Sequence, residues 1–135
     1  MHVGLFGVFI SPHCPPEVVG ATARAAEERG YRSFWVGEHL AFFDDYTPAY
    51  PGSEDGRIPI RPEEGMPDPL LLLTLAAAAT SRIRLATGIC LLPQRSLPYT
   101  AKEVATLDWL SGGRVEFGVG VGWQQEEFDA AGVPW

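Results

Sequence analysis

The chain has 135 residues, a length that suits one domain, and 46% of them are hydrophobic, enough for a real core. Its 17 acidic residues outnumber 10 basic ones, for a formal net charge of −7. That balance argues against a nucleic-acid groove, because phosphate contacts need clustered Lys and Arg. No stretch approaches the ~20 apolar residues of a membrane span, and the apolar run Val3–Ile10 lacks the basic flank of a signal peptide. Cys14 and Cys90 make neither a disulfide framework nor a zinc site. A cytoplasmic protein without nucleic-acid or membrane partners is the expectation.

Val3–Ile10 is continuously apolar, the pattern of a strand covered on both faces. A Pro-rich turn over residues 11–16 leads to a helix starting near Pro16 or Glu17, since proline fits the first helical turn. Val19, Thr22, Ala23 and Ala26 make its inner stripe, with Glu27, Glu28 and Arg29 on the wet face and Gly30 ending it. Ser33–Gly37 reads as a second strand, running into Glu38 and His39. Residues 40–67 are rich in proline, glycine and acids and show no period, so they read as a long loop insertion.

Asp68-Pro69 places an N-cap before a first-turn proline, and Leu71, Leu72, Leu75, Ala76 and Ala79 are expected inward on the helix that follows. Ile83–Leu91 is the third strand. Pro98 opens a third helix, with Ala101, Val104, Ala105 and Leu110 inward and Gly112-Gly113 at its end. Arg114–Val119 is the fourth strand, Gly120–Trp123 a turn, and Gln124 the start of another helix. Residues 82–89 (RIRLATGI) parallel residues 114–121 (RVEFGVGV), an offset of 32 positions. A repeating strand–helix unit of this size means βα units on a parallel sheet, either doubly wound or a (β/α) barrel. A complete barrel takes ~250 residues. The expected fold is α/β: about four of the eight units of a TIM (β/α)8 barrel, its N-terminal half, forming one partial domain over 1–135.

In barrels, function sits at the C-terminal ends of strands. That rule selects residues 9–13, Glu38-His39, residues 87–90 and residues 120–124. His39 is the best placed for chemistry, since imidazole exchanges protons near neutrality; otherwise it is a loop histidine capping a backbone group. His2 and His13 are weaker candidates. Gly88 within Thr87-Gly88-Ile89 marks either a bulge approached by a ligand or close helix–sheet packing. Residues 118–123 (GVGVGW) are not the dinucleotide fingerprint: counted from Gly118, the place of its third glycine holds Trp123. Trp123 is then a wall for an aromatic ring or a core anchor. Glu126, Glu127 and Asp129 read as the solvated first turn of the last helix, and the acids of residues 44–64 as a solvated lid surface without metal-ligand spacing.

Residues 30–39 (GYRSFWVGEH) resemble the second-strand segment of the luciferase-like monooxygenase superfamily. So do Asp68-Pro69 with its Leu/Ala helix, residues 80–89 (TSRIRLATGI), and above all residues 105–123 (ATLDWLSGGRVEFGVGVGW), continued by Glu126-Glu127-Phe128 and Gly132-Val133-Pro134. The resemblance implies a (β/α)8 barrel that binds a flavin or deazaflavin at its C-terminal mouth. It is closest to the branch using the deazaflavin coenzyme F420, with flavin mononucleotide (FMN) as the alternative. It implies hydride transfer to or from a small organic substrate, with His39 catalytic and Thr87, Gly88, Ile89, Gly120 and Trp123 at the cofactor, and no metal. It also implies a third-strand bulge, often carrying a non-prolyl cis peptide, at Gly88-Ile89. Sugar-phosphate dehydrogenases of that branch carry an acid where Trp123 stands. A half-barrel leaves two strand edges and an apolar inner face uncovered, so a homo-oligomer is expected. A non-catalytic fragment that self-associates is the further alternative.

Overall fold

A computed structural model describes residues 1–135. In chain order the elements are β1 (Gly4–Gly7), α1 (Pro16–Glu28), β2 (Ser33–Val36), α2 (Pro69–Ala79), β3 (Arg84–Thr87), β4 (Cys90–Leu91), α3 (Leu97–Ser111), β5 (Val115–Glu116), β6 (Val119–Gly120) and α4 (Gln125–Ala131). β1, β2, β3 and β5 form one parallel sheet in that order, with Leu5 beside Phe34, Phe34 beside Leu85, and Leu85 beside Val115. β4 and β6 form a second parallel pair. No helix is long and apolar enough to cross a membrane.

The expected third and fourth strands are each interrupted. Ile83–Leu91 breaks into β3 and β4 at Gly88-Ile89, whose peptide bond is cis. Arg114–Val119 breaks into β5 and β6 at residues 117–118. The breaks lie side by side, so the ladder needs a substitute there. Thr87 supplies it. Its hydroxyl donates to the Gly118 carbonyl (2.7 Å) and accepts from the Gly118 amide (2.9 Å), and the Cys90 amide donates to the Gly118 carbonyl (2.9 Å). The first strand is also shorter than the apolar run: only Gly4–Gly7 pairs.

The core lies between the sheet and α1–α3. Phe34, Leu73, Ile83 and Leu85 are fully buried, each contributing roughly 1.5–3 kcal/mol. Val19, Ala23 and Ala26 face inward on α1 as the pattern requires, and their small size lets α1 approach α2 closely. The expected inward faces of the other two helices hold in part: Leu72 and Ala76 on α2 are buried and Val104 on α3 packs against the core, while others are out of phase. On α2, Leu70, Leu72, Leu73 and Ala76 are buried, while Leu71 and Leu75 are exposed. On α3, Thr100, Leu107 and Ser111 are buried, while Ala101, Ala105 and Leu110 are exposed. The helix ends match expectation. Asp68 Oδ1 accepts from the amides of Leu70 (2.8 Å) and Leu71 (3.0 Å) as N-cap of α2. Gly112 closes α3 in the left-handed conformation, φ 72°.

Glu27, expected on a wet face, is a fastener. Its carboxylate accepts from the amides of Ser81, Arg82 and Ile83, with Arg82 at 2.6 Å and Ile83 at 2.8 Å, and so ties α1 to the entry of β3. Burial pushes its carboxyl up, but the Ile83, Arg82 and Ser81 amides outweigh that and hold it below the ordinary range. A lowered carboxyl stabilises the fold fully above its unfolded pKa of ~4.3, and the contribution vanishes as pH falls through the lower folded value. Glu27→Gln is therefore expected to cost about 1–3 kcal/mol in urea unfolding at pH 7, with the gap to wild type closing below about pH 4. A gap independent of pH would contradict this role.

Candidate functional site

The C-terminal ends of the strands open onto a cavity of about 650 Å³, within the range of small-molecule sites. Its walls are mostly apolar. Phe6 and Val8 come from the first strand and its extension, Ile89 from the break in the third, and Val121 and Trp123 from the turn after β6. The insertion supplies the remainder. Residues 40–67 contain no helix or named strand, yet Tyr50, Ile58, Pro59, Ile60 and Met66 line the cavity. They are pinned there by a Ser11–Gly65 bridge (2.8 and 3.1 Å) and by Tyr50 packing on Trp123, ring centroids 6.0 Å apart. Two acids of this segment have partners: Asp55 accepts from the Arg57 amide and Glu64 from the Arg61 amide. Glu64 pairs with His13 at 2.8 Å, and the Arg61 amide, with His13, holds its carboxyl below the usual range.

His39 stands in the cavity wall with its side chain 16% exposed. Its ring is tilted on Phe42 at 5.3 Å and meets Trp123 edge-on at 6.0 Å. Its Nδ1 lies 3.0 Å from Glu127 Oε1, which also accepts from the Leu40 amide at 2.7 Å. Glu127 is 1% exposed, so its expected place on a solvated turn is corrected: the first turn of α4 is folded against the end of β2. Neighbouring Glu126 accepts from the Thr47 amide at 2.8 Å, which lowers its carboxyl.

Glu38 reaches the same cavity but makes its hydrogen bonds away from His39. Its Oε2 accepts from the Leu91 amide (2.6 Å) and its Oε1 from Arg95 Nε (2.8 Å). Arg95 also pairs with Asp68. This ion cluster joins the end of β2, the turn after β4 and the start of α2. It lines a smaller cavity of about 260 Å³ that His39, Leu40, Met66 and Gln94 complete. Cys90, beneath it, is buried, and burial together with the Glu38 charge pushes its thiol up to about 12. It is a neutral core group, not a nucleophile. The buried amide of Gln94 (Nε2) and that of Gln124 (Nε2 and Oε1) have no protein partner, which nothing in the chain explains. No group of three or more His, Cys, Asp or Glu is placed to hold a metal.

Of the residues singled out in the sequence, His39, Gly88, Ile89 and Trp123 line the large cavity together. Thr87 and Gly120 are not among its lining residues. Thr87 is fully buried in the strand break, and Gly120 borders a shallow groove with Val119 and Leu92. His2 is exposed and His13 is engaged with Glu64. The glycines make room for the protein itself. A Cβ on Gly88 would meet Phe6 and Trp35 at 3.1 Å, one on Gly118 the Thr87 carbonyl at 2.3 Å, and one on Gly120 the tip of Ile89 at 1.7 Å.

The cavity suits a flat ring: broad apolar walls and one polar edge where His39 stands with Glu38 and Glu127. No Lys or Arg lines it, so its lining offers no cation to a phosphate-bearing tail.

The sequence model of the luciferase-like monooxygenase family matches residues 5–135. The uncharacterized protein Rv0953c of Mycobacterium tuberculosis is 45% identical over 115 residues, 84% of this chain and 40% of its own length. The 5,10-methylenetetrahydromethanopterin reductase of Methanopyrus kandleri is 33% identical over 129 residues, 96% of this chain and 30% of its own. The solved coenzyme F420-dependent tetrahydromethanopterin reductase from that organism superposes with a TM-score of 0.63 at 29% identity, over 100% of this chain and 30% of that one. Monooxygenase RslO1 from Streptomyces bottropensis gives 0.73 at 30%, over 99% of this chain and 37% of that one. The chain thus spans less than half the length of the relatives it matches.

A Cβ at residue 118 meets fixed backbone, whereas one at residue 120 meets a side-chain tip that can swing aside. Gly118→Ala is expected to cost about 1–3 kcal/mol in urea unfolding and Gly120→Ala clearly less. Equal costs would contradict this packing.

Proposed function

The chain belongs to the luciferase-like monooxygenase family, and from that premise we propose that it forms the ring-binding part of a deazaflavin-dependent oxidoreductase acting on a small organic substrate. Residues 1–135 are then about four units of an eight-unit barrel. The observation that carries the reading is His39 set in the wall of a 650 Å³ apolar cavity, facing the interrupted strand at Gly88-Ile89. Similarity to the F420-dependent reductase supports the choice of cofactor.

When bound, coenzyme F420 supplies hydride exchange at its ring. The chain's residues do the rest. Ile89, Val121 and Phe6 offer the apolar surface that would hold the ring, with Gly88 keeping the backbone close behind it. Trp123 and Tyr50 narrow the opening, and Ile58 and Ile60 cover it and exclude water. His39 carries the proton. If the substrate is reduced, it gains hydride at carbon while His39 gives a proton to the atom that becomes electron-rich; in the oxidative direction His39 takes that proton. An FMN-dependent monooxygenase is the second reading: the likeness to monooxygenase RslO1 favours the reaction class, and FMN is the cofactor alternative that the family resemblance implies.

The lining without cations makes a quantitative test. In fluorescence titrations of the 135-residue chain, the deazaflavin is expected to bind saturably and more tightly than FMN. The same deazaflavin stripped of its phosphate-bearing tail is expected to bind within about threefold of the intact cofactor, since no charge-assisted contact is lost. Tighter binding of FMN would favour the second reading. Binding of neither would overturn the proposal that this chain holds the ring.

A further inference from the structure

The atom through which His39 exchanges its proton is fixed by Glu127. Glu127 Oε1 already accepts from the Leu40 amide, a group that can only donate. An ionised carboxylate accepts and cannot donate. With Glu127 ionised, the 3.0 Å contact to His39 Nδ1 therefore requires the proton on Nδ1. Nε2 makes no hydrogen bond within the chain. The contacts of the ring with Phe42 and Trp123 hold its plane and restrict a flip that would put a ring carbon where Nδ1 stands.

We infer that Glu127 is a positioning residue: from the first turn of α4 it locks neutral His39 in the Nδ1–H tautomer and leaves Nε2 as the proton-exchanging atom. The inference rests on reading His39 as the proton carrier of the large cavity. Glu127 borders the same cavity and acts through His39, by the hydrogen bond to Nδ1. A free histidine side chain favours the other tautomer, so the lock reverses an intrinsic preference. The role is also distinct from helix capping. Glu127 is the third residue after the N-cap Gln124, where an acid commonly turns back to the N-cap amide. Here it reaches across to the end of β2 instead.

The test is a long-range ¹H–¹⁵N correlation spectrum of the uniformly ¹⁵N-labelled chain at alkaline pH. The chain has three histidines, and His39 is assigned by its disappearance in His39→Gln. The wild-type His39 ring is expected to show the Nδ1–H pattern almost exclusively. In Glu127→Leu the Nδ1–H population should fall below half, while the patterns of His2 and His13 stay unchanged. A wild-type His39 that is Nε2–H, or averaged like free histidine, would overturn the inference; a protonated Glu127 donating to Nδ1 would give that result. Retention of Nδ1–H in Glu127→Leu would overturn the role of Glu127. The wild-type spectrum is decisive even where the variant does not fold. The readout also needs no cofactor, so failure of the lock and failure of ring binding are separate outcomes.

Discussion

Carboxylates withdrawn from water must find donors, and at the mouth of this sheet the donors come from distant parts of the chain. Glu38 takes the Leu91 amide and Arg95; Arg95 takes Asp68; Glu127 takes the Leu40 amide and His39. Each contact spans between 27 and 88 residues of sequence. Losing one partner of such a pair leaves a buried charge uncompensated, a cost of about 3–5 kcal/mol. The strand ends, the start of α2 and the start of α4 are thereby held in one arrangement, and the large cavity inherits its shape from it.

The same constraint divides labour between adjacent residues. Glu38 and His39 both reach the large cavity but take different partners. Glu38 pairs with the structural cluster around Arg95, and His39 pairs with Glu127. The segment 40–67 then starts from a fixed point, since the amides of Leu40 and Thr47 are both bound by the acids of α4. Tyr50 consequently packs on Trp123 and its apolar neighbours line the cavity, although the segment has no regular structure of its own.

Much of the fold was legible because its signals are local. Continuous apolar runs gave the strands, Asp68-Pro69 and Gly112-Gly113 gave helix ends, and the 32-residue repeat gave the parallel βα plan. What stayed illegible depends on neighbours. α2 is apolar all round, residues 69–79 (PLLLLTLAAAA), so no polar face sets its phase, and packing between α1 and α3 decides that Leu70 and Leu73 turn inward rather than Leu71 and Leu75. Polar Thr100 and Ser111 are buried on α3 while Trp109 and Leu110 are exposed, opposite to any hydropathy pattern. The site divides the same way. His39 and Gly88 were candidates by their places at strand ends, and the cis peptide at Gly88-Ile89 was expected from family resemblance. Glu127 and Arg95 carry no local mark: one sits among acids in a first turn, the other in a Pro-flanked connection. The hints were that Glu126-Glu127-Phe128 continues the family resemblance and that Phe128, buried in the fold, is a large apolar residue beside Glu127.

Native-state amide hydrogen exchange at Leu40 and Leu91 tests most directly whether paired carboxylates hold the mouth together. Both amides lie at or beyond the ends of the main sheet and donate to side chains, Glu127 and Glu38. The account predicts that both are protected to the level of the Gly88 amide, which donates to Val36 in the β2–β3 ladder. Exchange at the rate of an open loop while the Gly88 amide stays protected would contradict it, leaving a folded sheet with an unfixed rim.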